Sequence, residues 1–300
     1  MPPRLRVRPA AVAGLFYPEE PTALRAIVTG LLAERARRLA GVPGAAAAGT
    51  ASPGTAAPGV AAAPGDAATT PHPPKAIIAP HAGYTYSGPI AASAFSALAG
   101  AAPRVRRVVL LGPSHRVALR GLGLPAAEAF ATPLGNVPLD LAAVATVERL
   151  PQVAVRPDAH DAEHSLEVEL PFLQVVLGSF ELLPLVVGQA DGDEIDEVLQ
   201  QVWGDDDTVL VVSSDLSHYL PAEVAERVDR DTASQIVALG GPLTTRQACG
   251  AMPINGLLAA ARRRSLVPRQ LDLGHSGDTS GDRSRVVGYG AWAFDERPDA

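Results

Sequence analysis

Three of the seven histidines in this 300-residue chain stand just past an apolar run. His81 closes AIIAPH, His115 closes VVLLGPSH, and His218 closes VLVVSSDLSH, with Asp215 three residues before it. A neutral imidazole can hold a metal ion, and one that titrates near neutral pH can move a proton with a carboxylate beside it. One histidine at a strand end is more often a hydrogen-bonded loop residue than a ligand. Three at equivalent places favour a site. Pro80, Gly83, Gly112 and Pro113 serve as turn formers here, and turns need no histidine.

Two further stretches carry candidate chemistry. In HDAEHSLEVELPFLQ, residues 160–174, His164 and Glu167 are three apart and Glu163 and Glu167 four apart, so a helix over 164–176 puts them on one face. Glu163 alone reads as an ordinary acidic residue at a helix start, complementing the dipole. His164 and Glu167 are candidates to support a metal or to contact a cofactor or substrate. Cys249, in TTRQACGAMPINGLLAA, is the only cysteine. A free cysteine is usually a small buried hydrophobe. This one precedes a glycine and a helix expected to begin at Pro253, and a thiol near a helix N-terminus tends toward thiolate. A thiolate and two imidazoles suit iron, copper or zinc.

The elements that must position these residues follow from periodicity. Apolar runs predict strands at 75–79, 106–111, 182–187, 207–213 and 285–294. Helical spacing predicts helices at about 20–40, 88–99, 139–149, 164–176, 193–203, 221–239 and 253–264. The first of these reads as an amphipathic surface helix with a basic last turn. Such alternation predicts an α/β fold, a layered sheet with helices on both faces, in which the VVLL and VLVV runs are central strands. Ligand crevices of open α/β sheets lie beyond the carboxyl ends of the strands. If the strands are parallel, His81, His115, Asp215 and His218 converge there.

Composition narrows the class. With 47% hydrophobic residues the chain can bury the core of one large domain, and its net charge of −7 argues against a nucleic-acid or anionic-membrane surface. No apolar run approaches the ~18 residues that a membrane span needs. The N-terminal MPPRLRVRPA has charge but no apolar stretch behind it for export. One cysteine excludes an intramolecular disulfide, so a cytoplasmic protein is expected. Residues 41–74 are nearly all Ala, Gly, Pro, Ser and Thr and read as a mobile insertion in a single domain spanning 1–300. His72 falls within it and is a poor candidate for chemistry.

Taken in order, PHAGYTYSGPIAA, GPSH, EHSLEVELPFLQ, SSDLSHY and ACGAMPI, together with the opening GLFYP and the closing GYGAWAF, resemble the Memo family, whose prokaryotic members are called AmmeMemoRadiSam system protein B. The resemblance covers nearly the whole chain outside the insertion. It implies a fold like that of the class III extradiol dioxygenases, which hold non-haem iron with two histidines and a carboxylate. It places His81 and His115 as metal ligands and Cys249 where the dioxygenases have their carboxylate. Asp215 and His218 match pocket residues, with His218 in the place of the acid/base histidine. A softer, oxidisable thiolate makes iron or copper binding, or simple redox chemistry, as good a reading as ring-opening dioxygenation.

Three function classes stay open. The first is a metal-binding redox or metal-handling protein, acting with the AMMECR-type and radical-SAM partners that the family name implies. The second is an enzyme, either a dioxygenase with His218 as acid/base or a hydrolase with Cys249 as nucleophile. The third is a metal-free module binding a peptide or small acid. The insertion gives a prediction independent of these. Deleting residues 45–70 should leave the melting temperature nearly unchanged, since each doubling of loop length costs only about 0.6 kcal/mol. A large drop would mean that the segment packs on the core.

Overall fold

The computed structural model describes residues 5–40 and 73–297. The low-complexity stretch, apart from Pro73 and Pro74, lies outside the described residues together with His72. The first part of the chain forms β1 (Val7–Arg8), α1 (Pro21–Ala40), β2 (Ala76–Ala79), α2 (Tyr84–Ser96) and β3 (Arg107–Pro113). Next come β4 (Leu122–Leu124), β5 (Ala129–Thr132), β6 (Gly135–Pro138), α3 (Leu141–Val147), β7 (Val153–Val155) and α4 (Pro157–Asp161). A 3-10 turn at Glu167–Glu169 leads into α5 (Leu170–Leu177), β8 (Glu181–Val187), α6 (Gly192–Val202) and β9 (Thr208–Ser213). The chain ends with β10 (His218–Leu220), α7 (Ala222–Val237), α8 (Ala251–Arg264), β11 (Val267–His275), α9 (Gly277–Ser280) and β12 (Val286–Asp295).

The main sheet has the order β10-β12-β2-β9-β3-β8-β4-β7, with β11 also paired to β12. Its centre, β2, β9, β3 and β8, is parallel. Side chains alternate across a strand with period two, and β3 and β9 show the consequence. Val108, Leu110, Val209 and Val211 pack with Leu24 and Val28 of α1, Phe95 of α2 and Phe172 of α5. Val109, Leu111, Leu210 and Val212 pack instead with Ile195 and Leu199 of α6 and Ile254 and Leu257 of α8. Both faces of the sheet are therefore covered by helices, and the unbroken apolar runs are buried on both sides, as the sequence predicts.

The main element without a counterpart in the sequence reading is β11, a long antiparallel partner of β12. Its residues, VPRQLDLGH, are half-exposed, interrupted by proline and charge, and carry no run that periodicity could detect. The strands β4 to β7 are three or four residues each, too short to stand out.

Register sets the site. Ala79 at the end of β2 lies opposite Ser213 at the end of β9, and Ser214 N donates to Ala79 O at 2.8 Å. The loops bearing His81 and Asp215 therefore leave the sheet side by side. On β3, the last turn of strand packs under the segment before α5. A Cβ on Gly112 would stand 2.8 Å from Ser165 Oγ and 2.9 Å from Leu166 Cδ2, so only glycine admits this approach. Gly112→Ala should cost about 1 to 3 kcal/mol by overpacking, read as a lower urea midpoint. An unchanged midpoint would show that the segment yields freely and that glycine is not required.

Candidate metal centre

The level ends of β2 and β9 build the first half of the site. Two residues beyond Ala79, the His81 N–H donates to Asp215 Oδ1 at 2.9 Å. The buried His81 ring lies against the strand end, with Nδ1 2.7 Å from Ser213 Oγ. That contact leaves Nε2 for the cleft. Ser213 Oγ lies in addition 2.6 Å from Ser165 O and 2.7 Å from Glu169 Oε1.

The second half hangs on Glu163, a buried carboxylate. It accepts from His115 N at 2.6 Å and from His115 Nδ1 at 2.9 Å. It also accepts from the backbone N–H groups of His164 and Ser165, both at 2.9 Å. With Nδ1–H committed to Glu163, His115 presents Nε2 outward, as carboxylate-backed metal histidines do.

The rings of His81, His115 and His164 form a triangle with centroid separations of 5.2, 5.4 and 4.7 Å. One potential ligand atom from each lies within 4.8 Å of the others. His164 Nδ1 is buried and has no hydrogen-bond partner among the described residues. It stands 3.3 Å from Glu163 Oε1, near enough for attraction but not aligned for a bond. Phe16 packs on the His164 ring at 4.8 Å.

Cys249 enters from the other side. Its Sγ is 3.3 Å from His81 Nε2 and accepts the Asp215 N–H at 3.3 Å, but it falls outside the group of three mutually close donors. His218 donates from Nδ1 to Leu216 O at 2.7 Å, and its Nε2 is thereby left bare. His81, His115, His164, Asp215, His218 and Cys249 all line one cleft of about 1130 Å³.

Burial shapes the protonation states. Desolvation, and then repulsion from the other two rings, holds His81 well below the usual imidazole range. Burial likewise brings His164 down to about 4 and lowers His218. These rings are neutral at pH 7 and offer lone pairs. Burial by itself would raise Glu163, but the His115 hydrogen bond and charge and the backbone donors outweigh it and hold the carboxyl at about 2. Burial raises Asp215 to about 7. Burial and the Asp215 charge push the Cys249 thiol up to about 12.

Several expectations need correction. Residues 164–166 are not helical; the Glu163 side chain accepts from the N–H groups of His164 and Ser165. The 3-10 turn and α5 follow only from Glu167, with Pro171 in the first turn of α5. His164 and Glu167 therefore do not share a helix face. Glu167 is not among the residues lining the cleft. It is fully buried and ion-paired to Arg8, and it accepts from Ala11 N at 2.7 Å, Val12 N at 3.0 Å and Tyr17 Oη at 2.5 Å. Its role is to moor the N-terminal segment that carries Phe16. Glu163, which reads from spacing as an ordinary helix-start acid, holds the site together. The thiol of Cys249 is not drawn toward thiolate by the helix, which begins at Ala251 rather than Pro253; loss of solvation dominates. Ser213 and Glu169 escape the sequence reading although both lie within its motifs, since nothing in their spacing marks a contact between β9 and the segment before α5.

Comparison with known proteins adds the following. A family model described as Memo-like protein matches residues 8–293. MEMO1 family protein MK0963 of Methanopyrus kandleri is 34% identical over 311 residues, covering 96% of this chain and 98% of its own. A MEMO1 family protein of Aeropyrum pernix is 39% identical, covering 72% of this chain and 82% of its own. The crystal structure of an uncharacterized Escherichia coli protein, JW3007, overlaps at a TM-score of 0.45 and 15% identity, over 73% of this chain and 98% of that one, a likeness too distant to bear on function.

Asp215 yields a pH prediction. Its carboxyl is raised on folding, so its proton contributes stability fully below the ordinary carboxylate range, and that contribution is lost as pH rises through about 7. In metal-free protein, Asp215→Asn cannot ionise. It should therefore gain on wild type between about pH 4 and 7, by at most about 1.4 kcal/mol per pH unit. Urea midpoints across this range check it; a constant difference would show that the carboxyl is not held protonated.

Proposed function

The chain belongs to the Memo family, and from that premise we propose that its cleft is a metal centre serving redox chemistry or metal handling. His81, His115 and His164 are the nitrogen donors and Cys249 the available sulfur donor. The observation that carries this reading is the triangle of three imidazoles with one potential ligand atom each within 4.8 Å. The rings pack closely, two pairs edge to face and His115 stacked on His164, and one nitrogen is buried and unpartnered among the described residues, a polar burial whose cost a shared cation offsets. The donor set suits iron or copper and is compatible with zinc.

When bound, such an ion would supply one-electron chemistry and polarise a ligand beside it. The protein's own residues do the rest. His218, with Nδ1–H tied to Leu216 O, offers Nε2 as a base. Asp215, at about 7, can hold or release a proton at neutral pH. A cleft of about 1130 Å³ is far larger than an ion needs and has room for an organic molecule. Cys249 as a hydrolytic nucleophile is the weaker reading, because a thiol at about 12 lacks the lowered pKa that such a role requires.

Anaerobic titration of Fe(II), Cu(I) and Zn(II) into wild type and three variants tests this. His115→Ala should weaken binding by more than the roughly 10- to 100-fold expected for loss of an outer partner. Cys249→Ser and His164→Ala rank the third donor. If sulfur binds the ion, uptake at pH 7 should release about one proton more in wild type than in Cys249→Ser, because the thiol starts protonated. Equal affinity in all four proteins would overturn the metal centre.

A further inference from the structure

Behind His81, away from the cleft, three polar atoms converge on Ser213 Oγ. Ser165 O lies at 2.6 Å, Glu169 Oε1 at 2.7 Å and His81 Nδ1 at 2.7 Å. All four residues are buried. A hydroxyl has one proton and two lone pairs, so Ser213 can donate to only one of these partners. The backbone carbonyl of Ser165 can only accept. Two oxygens 2.6 Å apart in a dry interior need a proton between them, and Ser213 must supply it. The other two contacts then require protons from their own side, an O–H on Glu169 and an N–H on His81. No other placement satisfies all three.

An independent observation agrees. The second carboxyl oxygen, Glu169 Oε2, is buried with no hydrogen-bond partner among the described residues. A neutral C=O tolerates that, whereas half of a carboxylate anion would not. Burial also drives the Glu169 pKa well above its ordinary range, with the Asp215 charge adding to the shift.

We infer that Glu169 is a buried carboxylic acid donating its proton to Ser213, and that Ser213, so saturated, fixes His81 as the Nδ1–H tautomer with Nε2 bare toward the cleft. Glu169 and Ser213 are thus positioning residues. The histidines that follow β2 and β3 are backed differently: His115 by the ionised Glu163, His81 by a hydroxyl and a neutral acid. The proton assignment stands without any metal; only its effect on ion affinity rests on the proposed metal centre.

Infrared difference spectra of metal-free wild type against Glu169→Gln at pH 7 should show a protonated-carboxyl C=O stretch that the variant lacks. Long-range ¹H–¹⁵N NMR should find His81 protonated on Nδ1 in both proteins, because the side-chain amide that Glu169→Gln introduces can replace the acid as donor to Ser213. Ser213→Ala removes the acceptor and should give a tautomer mixture. In metal titrations Glu169→Gln should stay within about twofold of wild type, while Ser213→Ala should weaken binding about 10- to 100-fold. No acid band, or an Nε2 proton on His81 in wild type, would overturn the inference. So would a Glu169→Gln variant that loses metal as Ser213→Ala does, since that would mean an ionised carboxylate. Should Ser213→Ala fail to fold, the infrared and Glu169→Gln arms decide alone. If even wild type binds no ion, the metal centre falls, and the metal-free spectra still settle where the protons are.

Discussion

The site depends on one buried anion. Glu163 gathers the backbone and ring N–H groups of His115 and the backbone N–H groups of His164 and Ser165. It thereby ties the exit of β3 to the segment before α5. Charge-assisted bonds of this kind are roughly twice as strong as neutral ones, and a carboxylate removed from water needs all of them. This one interaction sets the orientation of His115 and brings His164 beside it.

Around that anion the cleft is a gradient of proton affinity rather than a uniformly polar surface. Glu163 stays ionised, the His81 and His164 rings stay neutral, Asp215 is poised near neutrality, and the Cys249 thiol keeps its proton. Desolvation is the common cause, and the differences come from which partner each group finds. Glu163 has four N–H donors, whereas Asp215 has backbone N–H groups alone and must share its surroundings with a thiol.

Much of this was legible in the sequence. The apolar runs mark the central strands within a residue or two, and their shared carboxyl edge follows from α/β topology, so His81, His115, Asp215 and His218 could be assigned to one crevice, with Cys249 added by the family resemblance. The distinction between Glu163 and Glu167 was not legible. Both are acidic, four apart, and lie one and three positions from His164. Which one supports the histidines depends on the distant partner each finds, His115 for Glu163 and the N-terminal segment for Glu167, and spacing does not show it. The Ser213–Glu169 contact was hidden for a related reason, being formed between a strand end and a turn 44 positions away.

The mooring of the N-terminal segment has a consequence for the order in which the molecule assembles. Arg8 and its partner Glu167 are 159 positions apart, so Arg8 leaves the ribosome long before the group that neutralises it. Both charges are costly to bury alone. The N-terminal segment, with Phe16 on the His164 ring, can therefore dock only after the chain through Glu167 has been made.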